Sequence, residues 1–255
     1  MRSIVRPKAT LPAAWRMALA AVACAWLVVA FGAAPAPTPS KTPPKPKPAK
    51  VKTETAESLR PIAEFDLPPP QRKGKVSLEE VLASRRSARA FRPGTLTLAE
   101  MGQLLWAAQG ITDPENGFRA APSAGATYPM ELYLLTPEGM YHYVPRGHRL
   151  ELLDRRDLRS ALAKAAAGQE CVRDASLDVV IASVPARTEA KYGDRAARYI
   201  YLEAGHIAQN LLLEATAMGL GGVSVGAFLE EEVGQALGLP KDQYPVYLVP
   251  LGHPQ

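Results

Sequence analysis

The stretch from Arg187 to Gly219 constrains the fold of this chain more than any other. Ile200, Ala204, Ile207, Leu211, Ala215 and Met218 recur at steps of four, three, four, four and three. That spacing puts all of them on one face of an α-helix. Leu212 widens the face, and Ala204, Ala208, Ala215 and Ala217 allow a neighbouring element to approach closely. The pattern predicts a long central helix, buried along much of its length and closed by Gly219 and Gly221.

The other segments mix helix and strand signals. Ser77 followed by Glu79 and Glu80 reads as a helix start, with Leu78, Val81 and Leu82 facing inwards. Thr97 through Gln109 reads as a second helix: Thr97 caps it, Glu100 sits at the third helical position, and Gly110 ends it. Its stripe is Met101, Leu104, Leu105 and Ala108. Helices are also expected over Asp157–Ala167 and Leu229–Leu237. Strands are expected over Met130–Leu135, Met140–Val144, Asp178–Val184, Gly222–Ala227 and Val246–Leu251, with a weaker one over Leu150–Leu153. No regular βαβ rhythm and no internal repeat is present, which points to an α+β fold.

The N-terminal quarter has a different character. Met1 to Arg16 carries Arg2, Arg6, Lys8 and Arg16 and no acid, and Met17 to Ala34 carries no charge. Residues 1–34 therefore read as a signal peptide or a membrane anchor, with the body outside the cytoplasm, in the periplasm for a two-membrane cell. Pro35 to Lys50 is dominated by proline, lysine and alanine and reads as an extended spacer of roughly 50 Å at about 3.1 Å per residue. Val51 to Lys75 continues it as an extended arm lying on the domain, so that 35–75 is linker and arm and 76–255 is the folded body.

Composition narrows the chemistry. The net charge of +5 owes much to Lys41, Lys45, Lys47, Lys50 and Lys52, ahead of the body. The body has no run of basic residues interleaved with aromatics, so no nucleic-acid partner is expected. Cys24 and Cys171 form no CxxC, and His142, His148, His206 and His253 have no metal-ligand spacing, so no metal is expected. P-loop, HExxH and GxGxxG patterns are absent, which removes support for kinase and zinc-enzyme readings.

Three stretches carry candidate chemistry. Arg119 to Pro129 is proline-bracketed, nearly free of bulk, and runs into a strand; such a loop lets a flat ligand reach the backbone, or is an ordinary turn. Arg85-Arg86-Ser87-Ala88-Arg89 puts three guanidiniums and a hydroxyl at a helix end, which suits a phosphate or a solvated basic turn. Lys191-Tyr192 precedes the long helix; the pair can accept protons if its pKa values are lowered, or is an exposed helix start.

Together these stretches resemble the nitroreductase family of FMN proteins, and most closely its branch of azoline oxidases (SagB-type dehydrogenases). The resemblance covers about Val76 to Pro254. It rests on Arg85–Arg89, Leu104-Leu105-Trp106-Ala107-Ala108-Gln109-Gly110, Pro122-Ser123-Ala124-Gly125 with Tyr128-Pro129, Lys191-Tyr192-Gly193, Glu203-Ala204-Gly205-His206 with Gln209-Asn210, and Val225-Gly226-Ala227-Phe228. It implies an α+β sandwich with a mostly antiparallel central sheet flanked by helices, used as a homodimer with FMN at the subunit interface. It implies that Arg85 and Ser87 hold the FMN phosphate and ribityl chain and that Arg89 lies near the pyrimidine edge. Pro122, Ser123, Ala124 and Gly125 would come from the other subunit, and Ser224, Val225, Gly226 and Ala227 would lie along the isoalloxazine. Lys191 and Tyr192 match a proton-accepting pair. The implied activity is hydride transfer through flavin N5, by a ping-pong route between a small-molecule donor and acceptor. Relatives often carry a basic pair after the last strand, where this sequence reads Gly252-His253-Pro254-Gln255. Arg86, Arg92 or Arg119 are the expected substitutes, and a flavin-binding scaffold without turnover is the alternative.

Overall fold

The computed structural model describes residues 59–255. The expected signal or anchor, 1–34, and the spacer at 35–50 lie outside the described residues. Among the described residues, no helix is long and apolar enough to cross a membrane.

The elements run in the order β1 (Ala63–Asp66), α1 (Leu78–Ser84), α2 (Leu98–Gln109), β2 (Ile111–Asp113), β3 (Phe118–Arg119), β4 (Met130–Thr136), β5 (Gly139–Val144), β6 (Arg149–Asp154), α3 (Arg159–Ala165), α4 (Glu170–Arg173), β7 (Leu177–Ser183), α5 (Ala186–Tyr192), α6 (Ala196–Ala217), β8 (Gly221–Gly222), α7 (Glu230–Leu237) and β9 (Tyr244–Gly252). Seven strands form one sheet in the order β1-β6-β5-β4-β7-β9-β8, while β2 and β3 pair separately. Every neighbouring pair in the large sheet is antiparallel.

Strand alternation sorts the side chains into two cores. Met130, Leu132 and Leu134 of β4, with Val179 and Ile181 of β7, join the apolar faces of α2 and α6. Tyr133 and Leu135, with Val180 and Ala182, join Leu158, Leu162, Val172, Val233 and Leu237 on the other side. The fold is therefore α+β, a mostly antiparallel sheet with helices on both faces, as the sequence predicts.

Local chemistry sets the helix starts. Ser77 and Thr97 each accept from the backbone N–H three residues on, and Glu80 and Glu100 reach back to the cap, so α1 and α2 both begin in complete capping boxes. On α6, Ile200, Ala204, Ile207, Leu211 and Ala215 are buried, as the periodicity requires.

Four expectations need correction. Lys191 and Tyr192 precede the long helix, as expected, but they end a short helix, α5, at Gly193 (φ +52°) and do not lie at an exposed helix start. Leu78 and Leu82 do not face inwards; they are 60% and 53% exposed, because α1 has only two turns and turns Val81 alone to the core. Gly222–Ala227 is not a continuous strand, since only Gly221–Gly222 and an isolated bridge from Val225 to Leu248 pair with β9. The arm does more than lie on the domain: Ala63–Asp66 extends the sheet beside β6, with Phe65 opposite Leu150.

Candidate functional site

The arginine-rich stretch follows the end of α1, where Arg85 is the C-cap. From there the chain runs along the β8 edge of the sheet. Ser87 forms a parallel bridge with Gly222, and the Ala88 N–H donates to the Gly222 carbonyl at 3.0 Å. The fit is close: a Cβ on Gly221 would lie 2.6 Å from the Ala88 Cβ. Further on, Arg92 N–H donates to the His253 carbonyl at 2.8 Å and Gln255 N–H to the Ala90 carbonyl at 3.2 Å. The backbone of this strip is thus fixed, while the Arg85, Arg89 and Arg92 guanidiniums make no hydrogen bond among the described residues. Among the described residues, no ion pair engages Arg85, Arg86, Arg89 or Arg92. Arg86 turns back onto the Ala83 and Arg85 carbonyls, at 3.1 and 2.7 Å. The positive charge of Arg89 reaches the buried Cys171 thiol and opposes the rise that burial causes there.

Two residues beyond Gly222, Ser224 to Ala227 continue along the same edge. Val225 exchanges backbone hydrogen bonds with Leu248, at 2.8 and 3.1 Å. The N–H groups of Ser224, Gly226 and Ala227 find no acceptor among the described residues. Gly226 and Ala227 are exposed, and a Cβ on Gly226 would meet only the Tyr247 ring, at 3.7 Å. The sequence-expected groups Arg85, Ser87, Arg89 and Ser224–Ala227 therefore gather at one edge of one chain. Free cations beside free N–H donors form a surface suited to an anionic, hydrogen-bond-accepting group such as a phosphate.

Pro122 to Gly125 and Lys191–Tyr192 form a second cluster. Gly125, Ala126 and Tyr128 all take positive φ, at +60°, +54° and +44°. Three side chains of α5 clip this loop: Arg187 donates to the Tyr128 carbonyl at 3.0 Å, the Thr188 and Thr127 hydroxyls meet at 2.9 Å, and Lys191 Nζ donates to the Gly125 carbonyl at 3.3 Å. A Cβ on Gly125 would stand 2.5 Å from Lys191 Nζ and 2.6 Å from Tyr192 Oη. Glycine is needed there twice over, for its backbone angle and for the space that the two head groups fill. On the far side of α5, Arg187 pairs with Glu131 at 2.5 Å, and Glu131 with His142 at 2.7 Å. Glu151 sits 3.3 Å from the other His142 nitrogen. Burial pulls the His142 pKa down, but Glu131 and Glu151 outweigh it and raise it above the usual value. Burial likewise pushes Glu131 up, and His142 with Arg187 bring it below the usual carboxylate range.

Sequence reasoning assigned no role to the polar groups beneath this loop. Gln109, the last residue of α2, and Glu203, on α6, are 0% and 2% exposed. Gln109 Nε2 donates to Glu203 Oε1 at 3.3 Å, and Arg119 NH1 donates to Gln109 Oε1 at 3.2 Å. Arg119 lies over the Tyr128 ring at 4.4 Å. This corrects the expectation that Arg119 substitutes as a phosphate ligand, because its guanidinium is already committed under the loop. Burial raises the Glu203 pKa, against Ser123, Gln109 and Arg119. The expected motif residue Asn210 donates to the Ala107 carbonyl at 2.9 Å and ties α6 to α2. Two cavities, of about 730 and 460 Å³, open elsewhere, and none of the expected site residues lines either. In a single chain the candidate site is an open surface. No group of histidine, cysteine and acidic residues among the described residues could hold a metal ion.

Comparison with known proteins bears on the family and the fold. The family model described as "Nitroreductase family" matches residues 82–253. A Methanocaldococcus jannaschii protein named as a candidate nitroreductase is 42% identical over 184 residues, covering 70% of this chain and 91% of its own. A solved structure of a candidate nitroreductase from Ralstonia eutropha superposes with a TM-score of 0.70 at 30% identity, covering 77% of this chain and 94% of that one. The NADPH:FMN oxidoreductase of Vibrio harveyi, solved with NAD+, shares the fold at a TM-score of 0.53 and 23% identity, over 70% of this chain and 69% of that one. With a matching family model over most of its described length and a relative at this identity, the chain belongs to the nitroreductase family.

Proposed function

We propose that the chain is an FMN-dependent oxidoreductase that acts as a homodimer on a small-molecule substrate. One observation carries the reading: the Arg85 and Arg89 guanidiniums, the Ser87 hydroxyl and the N–H groups of Gly226 and Ala227 share one sheet edge, with no partner among the described residues. Such a donor set fits a phosphate joined to a flat ring. Arg85 and Ser87 hold the phosphate and ribityl chain, as bidentate and directional donors. Arg89 faces the ring's pyrimidine edge, where a cation favours the reduced form. Ser224, Val225, Gly226 and Ala227 line the ring with backbone, leaving its face open. When bound, FMN supplies hydride transfer at its N5, taking electrons from one molecule and passing them to the next.

A second copy completes the site by bringing Pro122, Ser123, Ala124 and Gly125 to the other side. Support for the dimer comes from α6, whose outer face carries Tyr201 and Leu202 at 62% and 53% exposure, with open space at Gly205 between helical turns. Lys191 and Tyr192 accept or hold a proton at the substrate, since their head groups meet at Gly125 on the loop. That pair favours the azoline-oxidase branch among the substrates to be tried. The same reading has the body outside the cytoplasm, on the strength of residues 1–34, and cell fractionation tests it.

The experiment is steady-state turnover with a panel of nitroaromatics, quinones and azolines. Parallel double-reciprocal lines, and a yellow protein bleached by a reductant and restored by an acceptor, are expected. Bound flavin that never re-oxidises with any acceptor would favour a scaffold without turnover. Lys191→Ala with Tyr192→Phe should cut turnover while flavin stays bound; unchanged turnover would remove the pair from the chemistry.

A further inference from the structure

The loop from Ser123 to Tyr128 is held in an unusual state. Ala126 and Tyr128 are non-glycine residues in the left-handed region, next to Gly125 in the same region. Backbone of this kind persists only where its surroundings over-determine it. The α5 contacts fix its outer side, and a single carboxylate underlies its inner side.

Glu203 is the only acid among the buried residues of α6, between Ile200, Ala204 and Ile207, all buried. An apolar residue would fill such a position at less cost than a buried carboxylate, unless the acid makes specific contacts. Its contacts lead to both ends of the strained segment. Ser123, at the start, lies near enough for its hydroxyl to oppose the rise that burial causes in the Glu203 pKa. Through Gln109, at 3.3 Å, Glu203 orients the amide that receives Arg119 at 3.2 Å. Arg119 in turn covers the Tyr128 ring, and its backbone N–H donates to Tyr128 Oη at 3.2 Å, at the far end. The two ends are also joined directly, since Tyr128 N–H donates to Ser123 Oγ at 2.9 Å.

We infer that Glu203 is a positioning residue: by its hydrogen bonds it sets the conformation of Pro122–Gly125 and, through Gly125, the place of the Lys191 and Tyr192 head groups. Its functional consequence rests on the reading of this loop as one wall of the flavin site. Glu203 itself takes no part in the chemistry.

The test compares full-length wild type with Glu203→Ala and Glu203→Gln. Glutamine keeps an acceptor oxygen for the Gln109 amide and loses only the charge. Hydrogen exchange on the flavin-free chain should show the amides of Ala126, Thr127 and Tyr128 exchanging about tenfold faster in Glu203→Ala, with β4 and β7 amides unchanged. Glu203→Gln should restore the wild-type rates. FMN titration should follow the same order, about tenfold weaker for alanine and near wild type for glutamine. Unchanged loop exchange in Glu203→Ala would overturn the inference, as would a glutamine variant no better than alanine. Where the loop responds as expected but wild type binds no FMN, the flavin reading falls and the positioning role stands. If Glu203→Ala does not fold, Gln109→Met cuts the same link and is judged by the same amides.

Discussion

The two halves of the candidate site are built in opposite ways. The strip from Arg85 to Arg89 is held by its backbone, against Gly222 and the residues from His253 to Gln255, and leaves its side chains free. The loop from Pro122 to Tyr128 is held by side chains, those of Arg187 and Lys191 on its Tyr128 and Gly125 carbonyls, that of Thr188 on Thr127 and that of Arg119 on the Tyr128 ring. One half can therefore adapt to an anion without disturbing the fold. The other is fixed beforehand and can only accept a ligand that matches it. The difference teaches where stability and binding separate: they separate in the strip and coincide in the loop.

Substitutions can break this comparison, and the largest effect should come from the strip's backbone. Gly221→Ala places a methyl 2.6 Å from the Ala88 Cβ and 3.3 Å from the Pro254 Cβ, neither of which can swing away. A loss of about 1–3 kcal/mol in urea denaturation is expected, by overpacking. A smaller loss would mean that the strip is not tightly seated. Arg85→Ala and Arg89→Ala should do the reverse, changing stability by less than about 0.5 kcal/mol. Each should weaken FMN binding by about tenfold or more, since each removes a charge-assisted contact. Gly125→Ala should show both effects together: about 1–2 kcal/mol lost to the left-handed backbone and, as Lys191 and Tyr192 are pushed aside, a fall in turnover. If stability drops while turnover holds, the two head groups do not act from that position.

The smallest effect is a matter of pH. His142 has a raised pKa in the folded chain, so its contribution is complete below its ordinary value of 6.5 and fades as pH rises through the folded value. Glu131 has a lowered pKa, so its contribution is complete above 4.5 and fades as pH falls through the folded value. The Arg187–Glu131–His142 chain should thus support the loop best between those limits. Melting curves of wild type and His142→Gln should differ most there, by about 1 kcal/mol or less, and converge at alkaline pH. Asp178 should behave in the opposite sense. Burial holds its carboxyl well above the usual range, and both its oxygens lack partners among the described residues. Because the unfolded chain ionises more readily, Asp178→Asn should gain stability at neutral pH and lose that gain on acidification.

Much of this architecture was legible because it rests on local signals. The Ser77 and Thr97 capping boxes, the α6 stripe and the β-branched run of β7 all report themselves within a few residues. The failures share a cause. β1 is a four-residue edge strand, mostly exposed, so it carries no alternation to detect. The β2–β3 hairpin turns through Pro114-Glu115-Asn116-Gly117, a signal that was present but flanked by strands of two and three residues. The short helix α5 buries only Thr188, so it carries no apolar stripe to detect. The Arg119–Gln109–Glu203 contacts join β3, α2 and α6, and no periodicity marks a buried polar residue whose partner lies 94 positions away. The free cations and the bare loops were legible in composition; which of them meet was not, because pairing through Gly222 is a property of the sheet.

The most direct measurement is an equilibrium titration of the full-length protein with FMN, followed by quenching of flavin fluorescence and by mass in solution. Saturation at one FMN per chain in a dimer, weakened by Arg85→Ala and by added phosphate, is the expected result. Unquenched fluorescence with the protein in excess, or saturation that Arg85→Ala and Arg89→Ala leave unchanged, would contradict it.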